Sequence, residues 1–128
     1  MLRIASIPDN ISILEDYLQN IFNEYHLDQK LYPNVLISLT EAVNNAIIHG
    51  NQMDENKFVQ LNSFCKNHKI CFRISDEGSG FDPKQVPDPT QPENIEKCGG
   101  RGVFLMYKLS DRIDYSDNGR TVELEFCF

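Results

Sequence analysis

The sequence predicts an α+β fold, a two-layer α/β sandwich in which helices cover one face of a mixed, mostly antiparallel sheet. Apolar residues recur at helical spacing in two segments near the N-terminus, and they alternate in strand-like segments further along. Strands joined by short turns pair antiparallel, and helices with one apolar face bury that face against such a sheet. The 128 residues, of which 41% are hydrophobic, suit a single domain over residues 1–128.

The N-terminal part of the chain predicts one strand and two helices. Leu2 to Ile7 alternates loosely in hydropathy, as a short strand does. Asp9 is a suitable cap for an amphipathic helix that runs to about His26. Pro33 fits the first turn of a second helix, and Gly50 fits the C-terminal stop of that helix.

The rest of the chain predicts four strands and one short helix. Lys57 to Cys65 and Lys69 to Asp76 alternate in hydropathy and are joined by a short turn. Val103 to Leu109 predicts a helix that begins directly after a run of glycines. Arg112 to Ser116 and Thr121 to Phe128 predict a hairpin, because an Asn-Gly pair between them is a strong hairpin signal.

A segment rich in glycine and proline, from Glu77 to Gly102, separates the two pairs of strands. A connection this long inside a compact domain is more often a functional lid than a plain loop, and a disordered insertion is the alternative. We expect a lid at about residues 81–100. The predicted order of elements is therefore β-α-α-β-β-lid-α-β-β.

Charge and cysteine spacing exclude several classes of protein. The net charge of −7 argues against nucleic acid as a partner, because phosphate backbones require clustered Lys and Arg. No stretch resembles a signal peptide or a membrane span, so we expect a cytoplasmic protein with no membrane partner. The four cysteines have neither zinc-site spacing nor the pattern of a disulfide framework: Cys65, Cys71, Cys98 and Cys127.

The second predicted helix carries a polar stripe. Glu41, Asn45 and His49 are spaced four residues apart, which places them along one side of an α-helix. A solvated face would also explain such a stripe. Asn44 and Asn45 lie in mid-helix, however, where asparagine costs stability, and this favours a functional role.

Two glycine-rich motifs follow. Asp76-x-Gly78-x-Gly80 comes directly after a predicted strand, where glycine lets a ligand approach the backbone and the carboxylate accepts a hydrogen bond. A plain turn is the alternative. Gly99 to Gly102 opens a helix, whose N-terminal N–H groups and dipole favour phosphate, although ordinary loops also contain such glycines.

Together these motifs resemble the GHKL superfamily of ATPases and kinases, which has the Bergerat fold. Glu41 to Gly50 resembles the N box of that superfamily, Asp76 to Gly80 its G1 box, and Gly100 to Gly102 its G2 box. Gly119 to Val122 resembles the final Gly-x-Thr motif. The sequence of Thr40 to Gly50 is most similar to that of the anti-sigma factor serine/threonine kinases.

The resemblance implies a role for each matched residue. Glu41 would be the general base, and Asn45 would bind the Mg²⁺ that bridges the phosphates of ATP. Asp76 would accept a hydrogen bond from the adenine amino group and so select ATP over GTP. Thr121 would support the adenine through its hydroxyl. His49 would lie near the phosphates, or make a structural hydrogen bond at the helix end.

The remaining matched residues would surround the adenine and the phosphates. Gly78 would let the base approach, and Gly80 and Gly100 would be the hinges of the lid. Arg101 would pair with a phosphate, or be an exposed charge on the lid; several relatives have an apolar residue there. The residues expected to contact the β- and γ-phosphates are Gly100, Arg101, Gly102 and Val103.

The resemblance implies a kinase that phosphorylates a small antagonist protein and sequesters a sigma factor or a similar target. Members are commonly homodimers, for which Leu2 to Ile7 is a candidate edge. A catalytically silent ATP-binding module that acts through protein partners is the main alternative. A histidine kinase would need dimerisation helices with a phosphoacceptor histidine, which this sequence lacks. The presence of Glu41, Asn45 and Asp76 argues against a loss of nucleotide binding.

Overall fold

A computed structural model of the chain describes residues 1–78 and 106–128, with five strands and two long helices in those ranges. The strands and helices are β1 (Leu2–Ala5), α1 (Ile13–Glu24), α2 (Tyr32–Asn45), β2 (Phe58–Lys66), β3 (Lys69–Ser75), β4 (Arg112–Ser116) and β5 (Thr121–Cys127). Short 3₁₀ turns occupy Pro8–Ser12, Gln29–Leu31 and Asp117–Gly119, and a π-helical turn occupies Ala46–Gly50.

The strands form one sheet in the order β1-β2-β3-β5-β4, and every pair of neighbours is antiparallel. Leu61, Ile74 and Val122 lie side by side across three of the strands, and all three are buried. Burying a side chain of this kind stabilises the fold by about 1.5–3 kcal/mol. The helices cover this apolar face, which confirms the predicted α+β sandwich.

The first helical segment differs from the prediction at its start. A 3₁₀ turn, Pro8–Ser12, comes first, and α1 begins only at Ile13. Asp9 therefore lies within the 3₁₀ turn and does not precede a continuous helix. α1 buries a face that follows helical spacing, made of Leu14, Leu18, Ile21 and Phe22.

The other predicted elements lie close to their expected places. α2 begins at Tyr32 with Pro33 in its first turn, as predicted. The hairpin of β4 and β5 turns through four residues, 117–120, and Asn118 and Gly119 have φ of 56° and 82°. Those left-handed angles explain the Asn-Gly pair.

The expected lid and the start of the third helix lie outside the described residues. Residues 106–109 are helical and belong to the predicted segment that ends at Leu109. Met106 is 1% exposed and packs in the core. Within the described ranges, no helix has the length and apolar character needed to cross a membrane.

Candidate functional site

Glu41 and Asn45 project from α2, a helix that packs against the sheet. Both side chains are half-buried, and they lie one helical turn apart on the same side. Their neighbours Ala42 and Val43 are buried, and α2 contacts β3 and β5. The sheet therefore fixes the direction in which the carboxylate and the amide point.

Asn45 is followed by a π-helical turn, Ala46–Gly50, and not by a helix end. The backbone N–H of Asn51 donates to the carbonyl of Ala46 at 2.8 Å, an i→i+5 bond in place of an i→i+4 bond. His49 lies in this wider turn and is exposed. The α-helical spacing behind the predicted polar stripe therefore ends at Asn45.

Gly50 has a different role from the one that the sequence suggests. It lies inside the π turn, without the positive φ of a helix-ending glycine. A Cβ on Gly50 would collide with the carboxyl group of Asp76, and a Cβ on Gly78 would collide with the carbonyl of Gly50. Glycine at both positions thus lets the end of the helical segment contact the residues that follow β3. Gly50 therefore does not stop the helix from a position just past its end, as was predicted; it is the last residue of the π turn, and close packing explains this glycine.

Asp76 stands where the chain leaves β3. Its backbone N–H donates to the carbonyl of Arg120 at 2.9 Å, and its Oδ1 accepts from the N–H of Gly78 at 2.8 Å. Within the described ranges no donor binds Oδ2, and this oxygen faces Gly50, since a Cβ there would lie 2.4 Å from it. Burial raises the pKa of Asp76, and the Gly78 N–H and the Arg120 guanidinium partly oppose this shift.

Arg120 holds the same segment from the side of β5. Its Nε–H donates to the carbonyl of Gly78 at 2.8 Å, and its Nη1 lies 3.4 Å from Asp117 Oδ1. The resemblance covers Arg120 but assigns it no role, since its position is the variable one of the Gly-x-Thr motif. Its contact with Gly78 depends on β3 and β5 being neighbours.

Thr121 lies next to Arg120 on β5. It is 8% exposed, and its hydroxyl lies 3.0 Å from the hydroxyl of Ser75 on the paired strand. Ser75, the partner of Thr121, directly precedes Asp76 in the chain. Thr121 is thus positioned at the same end of the sheet as the carboxylate.

Asn51 is a residue of this region to which no motif assigns a role. It follows Gly50, is 1% exposed, and its Oδ1 accepts from the N–H of Glu77 at 2.7 Å. A single asparagine after a glycine has the sequence signature of an ordinary loop. In the sequence, only its position close to the polar stripe could have indicated a role for Asn51.

The structure brings together part of the predicted site. Glu41, Asn45, Asp76, Gly78 and Thr121 lie on elements that the Gly50 contact and the β3–β5 pairing join. His49 is exposed in the π turn. The other predicted residues lie outside the described ranges: Gly80, Gly100, Arg101, Gly102 and Val103.

Comparison with known proteins identifies the family of the chain. The sequence model of the family described as the histidine kinase-like ATPase domain matches residues 4–126. The chain is also 26% identical over 132 residues to the serine-protein kinase RsbW of Staphylococcus aureus strains JH9 and Newman. That similarity covers 96% of this chain and 82% of the relative. The chain therefore belongs to the family of histidine kinase-like ATPase domains.

Proposed function

We propose that this chain is an ATP-binding serine/threonine protein kinase that phosphorylates a small antagonist protein and sequesters a sigma factor or a similar target. Family membership supports ATP binding, and the similarity to proteins named serine-protein kinase supports phosphoryl transfer. The observation that carries the proposal is the contact between Gly50 and Gly78, which joins the end of the α2 segment to the Asp76 carboxylate.

Asp76 is the proposed adenine-binding residue. Its half-buried carboxylate has one oxygen bound by Gly78, and in this proposal the other accepts from the amino group of adenine. Guanine carries a carbonyl at that position, and two facing acceptors repel each other. Gly78 lines the base in this proposal, and its missing side chain makes room for the carbonyl of Gly50. Thr121 supports the base from β5.

Asn45 and Glu41 are the proposed residues at the phosphate end. A single amide fits Mg²⁺, which takes oxygen ligands and keeps several waters. When bound, the ion would neutralise charge on the phosphates of ATP. Glu41, one turn away, accepts the proton of the attacking hydroxyl. Phosphoryl transfer depends mainly on positioning and charge, so two side chains on a fixed helix suit it.

The proposal also includes residues beyond the described ranges. The phosphates of ATP are held by Gly100, Arg101, Gly102 and Val103, under a lid at about residues 81–100 with Gly80 as one hinge. His49 is placed near the phosphates. The whole chain acts as one cytoplasmic domain. It pairs with a second copy along β1, which is an edge strand of the sheet.

Calorimetric titration with ATP-Mg²⁺, GTP-Mg²⁺ and ADP tests nucleotide binding. We expect binding of ATP and ADP and about 5- to 160-fold weaker binding of GTP, since an unpaired buried polar contact costs about 1–3 kcal/mol. A wild-type chain that binds no adenine nucleotide would falsify the proposal. Incubation with labelled ATP and candidate antagonist proteins from neighbouring genes then tests transfer. Binding without any transfer would leave an ATP-binding regulatory module and exclude the kinase.

A further inference from the structure

Asn51 is a buried polar residue that the proposed function does not use. Its side-chain amide makes three hydrogen bonds. Nδ2 donates to Ser6 Oγ at 2.9 Å and to the carbonyl of Phe58 at 3.1 Å, while Oδ1 accepts from the N–H of Glu77 at 2.7 Å. Since both ends of the amide are bonded, its orientation is fixed, and it ties the segment after β3 to the start of β2.

Glu77 completes a closed ring of hydrogen bonds. Its side chain accepts from the N–H of Phe58 at 2.5 Å, and the carbonyl of Phe58 accepts from Asn51. The N–H of Glu77 returns to Asn51, so three residues from separate parts of the chain are linked in a cycle. Asn51 is the only fully buried member of that cycle. Loss of its amide opens the ring at two of its three bonds.

The ring of hydrogen bonds holds Glu77, which is next to Asp76, the proposed adenine-binding residue. Glu77 lies between Asp76 and Gly78, and the peptide that joins it to Asp76 carries the N–H that Asn51 holds. Fixing this peptide fixes the backbone from which the Asp76 carboxylate projects. Gly50, the neighbour of Asn51, packs against the same segment. The end of the helical segment and the Asp76 carboxylate are thus held together by two contacts: the hydrogen bond from Glu77 to Asn51, and the close packing at Gly50.

We propose that Asn51 is a positioning residue that holds the Asp76 carboxylate in the orientation that accepts from adenine, and that it thereby sets the preference for adenine over guanine nucleotides. The inference rests on the proposed function, because it concerns the same nucleotide site. Asn51 itself touches no nucleotide in this proposal. It acts through the N–H of Glu77.

A purely structural role for Asn51 predicts something different. In that case its loss lowers the folded fraction and weakens ATP and GTP binding by the same factor. Ser6 provides the matched control, because it is also 1% exposed and shares a hydrogen bond with Asn51, yet has no bond to Glu77. Its hydroxyl donates to the carbonyl of Lys57 at 2.8 Å.

The experiment compares Asn51→Ala and Ser6→Ala with the full-length wild-type chain by titration with ATP-Mg²⁺ and GTP-Mg²⁺. Circular dichroism establishes the folded fraction at the temperature of titration. For Asn51→Ala we expect about tenfold weaker binding of ATP and unchanged binding of GTP, as fits the loss of one buried polar contact. For Ser6→Ala we expect lower thermal stability with an unchanged ratio of the two affinities.

Each result decides the matter. If the wild type prefers ATP and folded Asn51→Ala keeps the wild-type ratio of ATP affinity to GTP affinity, the positioning role is wrong while the proposed function stands. If both affinities fall by the same factor, Asn51 is structural only. If the wild type binds neither nucleotide, the proposed function fails and this inference fails with it.

A measurement on the wild type keeps the test valid if Asn51→Ala does not fold. The amide of Glu77 is then followed by hydrogen exchange in the nucleotide-free chain by NMR. We expect exchange at least about 100-fold slower than that of a free amide, because the N–H is bonded to a buried acceptor. Exchange at the rate of a free amide would show that the segment is not held before the nucleotide arrives.

Discussion

The two ends of the proposed site are held very differently. Asp76, Glu77 and Gly78 are fixed by hydrogen bonds from three directions and by the steric contact with Gly50. Glu41 and Asn45 sit on a rigid helix, yet neither side chain bonds to another of the described residues. The proposed adenine end is thus organised in the nucleotide-free chain, whereas the two side chains of the proposed phosphate end make no such bonds within the described ranges. Binding and transfer should therefore be separable by mutation.

Glu41→Gln should impair only the proposed phosphate end of the site. Of the changes predicted here, it should have the largest effect. The amide cannot accept a proton, so we expect phosphoryl transfer to fall by about 10²- to 10⁴-fold. ATP affinity should stay within about twofold of wild type, because Asp76 and its neighbours are untouched. Transfer is measured with labelled ATP, and Glu24→Gln, an exposed change at the end of α1, is the control. Unimpaired transfer by Glu41→Gln would remove the residue from the base role.

Gly78→Ala should break the adenine end. The added Cβ overlaps the carbonyl of Gly50, and backbone cannot give way as a flexible side chain does. Overpacking costs about 1–3 kcal/mol, and where this cost falls on the segment that binds the nucleotide, we expect about 5- to 160-fold weaker ATP binding. Calorimetry measures the affinity, and exposed Gln52→Ala provides the control. Wild-type affinity in Gly78→Ala would mean that the contact with Gly50 does not shape the site.

Arg120→Ala tests one of the several contacts that hold the segment after β3. It deletes the donor to the carbonyl of Gly78 and a positive charge near Asp76. We expect about three- to tenfold weaker ATP binding, as for one partly exposed charged hydrogen bond. Arg112→Ala is the matched control, because its ion pair with Asp114, at 2.7 Å, lies on exposed β4. Equal effects of the two substitutions would point to general charge and not to support of Gly78.

The pH dependence of binding should reveal the Asp76 carboxylate with the smallest effect. Burial raises its pKa, so protonation begins at a higher pH than for an ordinary aspartate. The neutral group is a weaker acceptor, and we expect ATP affinity to fall about threefold as the pH drops through the folded-state pKa. Asp76→Asn, titrated in parallel, corrects for protonation of ATP itself. A pH profile shared by both proteins would exclude the carboxylate.

The same shift has the opposite effect on folding. A raised pKa means that the folded chain binds the proton more tightly than the unfolded chain. Asp76 therefore lowers the free energy of unfolding as the pH rises from the ordinary aspartate value through the folded-state pKa, and this cost is full above it. Acidification in that window should relieve the cost in wild type and not in Asp76→Asn, as thermal unfolding would show.

Much of the fold was predictable, because it follows from local periodicity. The apolar spacing of α1 and α2, the alternation in the strands and the Asn-Gly pair correctly predicted the class of fold and the order of the strands and helices within the described ranges. The π turn after Asn45 could not be predicted, since it differs from an α-helix by a hydrogen bond that is displaced by one residue. For the same reason the stripe to His49 could not be placed from spacing alone.

The site was predictable only where a motif marks it. Asp76 and Gly78 belong to a recognisable pattern, and the structure joins them to the helical segment through Gly50. The supports of that pattern come from distant parts of the chain, as Asn51 and Arg120 do. Such contacts depend on sheet order and close packing, which no local pattern specifies.

The pairing of β3 with β5 has a practical consequence for handling the protein. Ser75 pairs with Thr121 next to Asp76, whereas Lys69 pairs with Cys127 at the opposite end of the two strands. Six residues of strand separate the two ends, a distance of roughly 20 Å. Cys127 is exposed and its thiol is free. A fluorophore or a surface tether attached to this thiol would leave the proposed nucleotide site accessible, which suits single-molecule and immobilised binding assays.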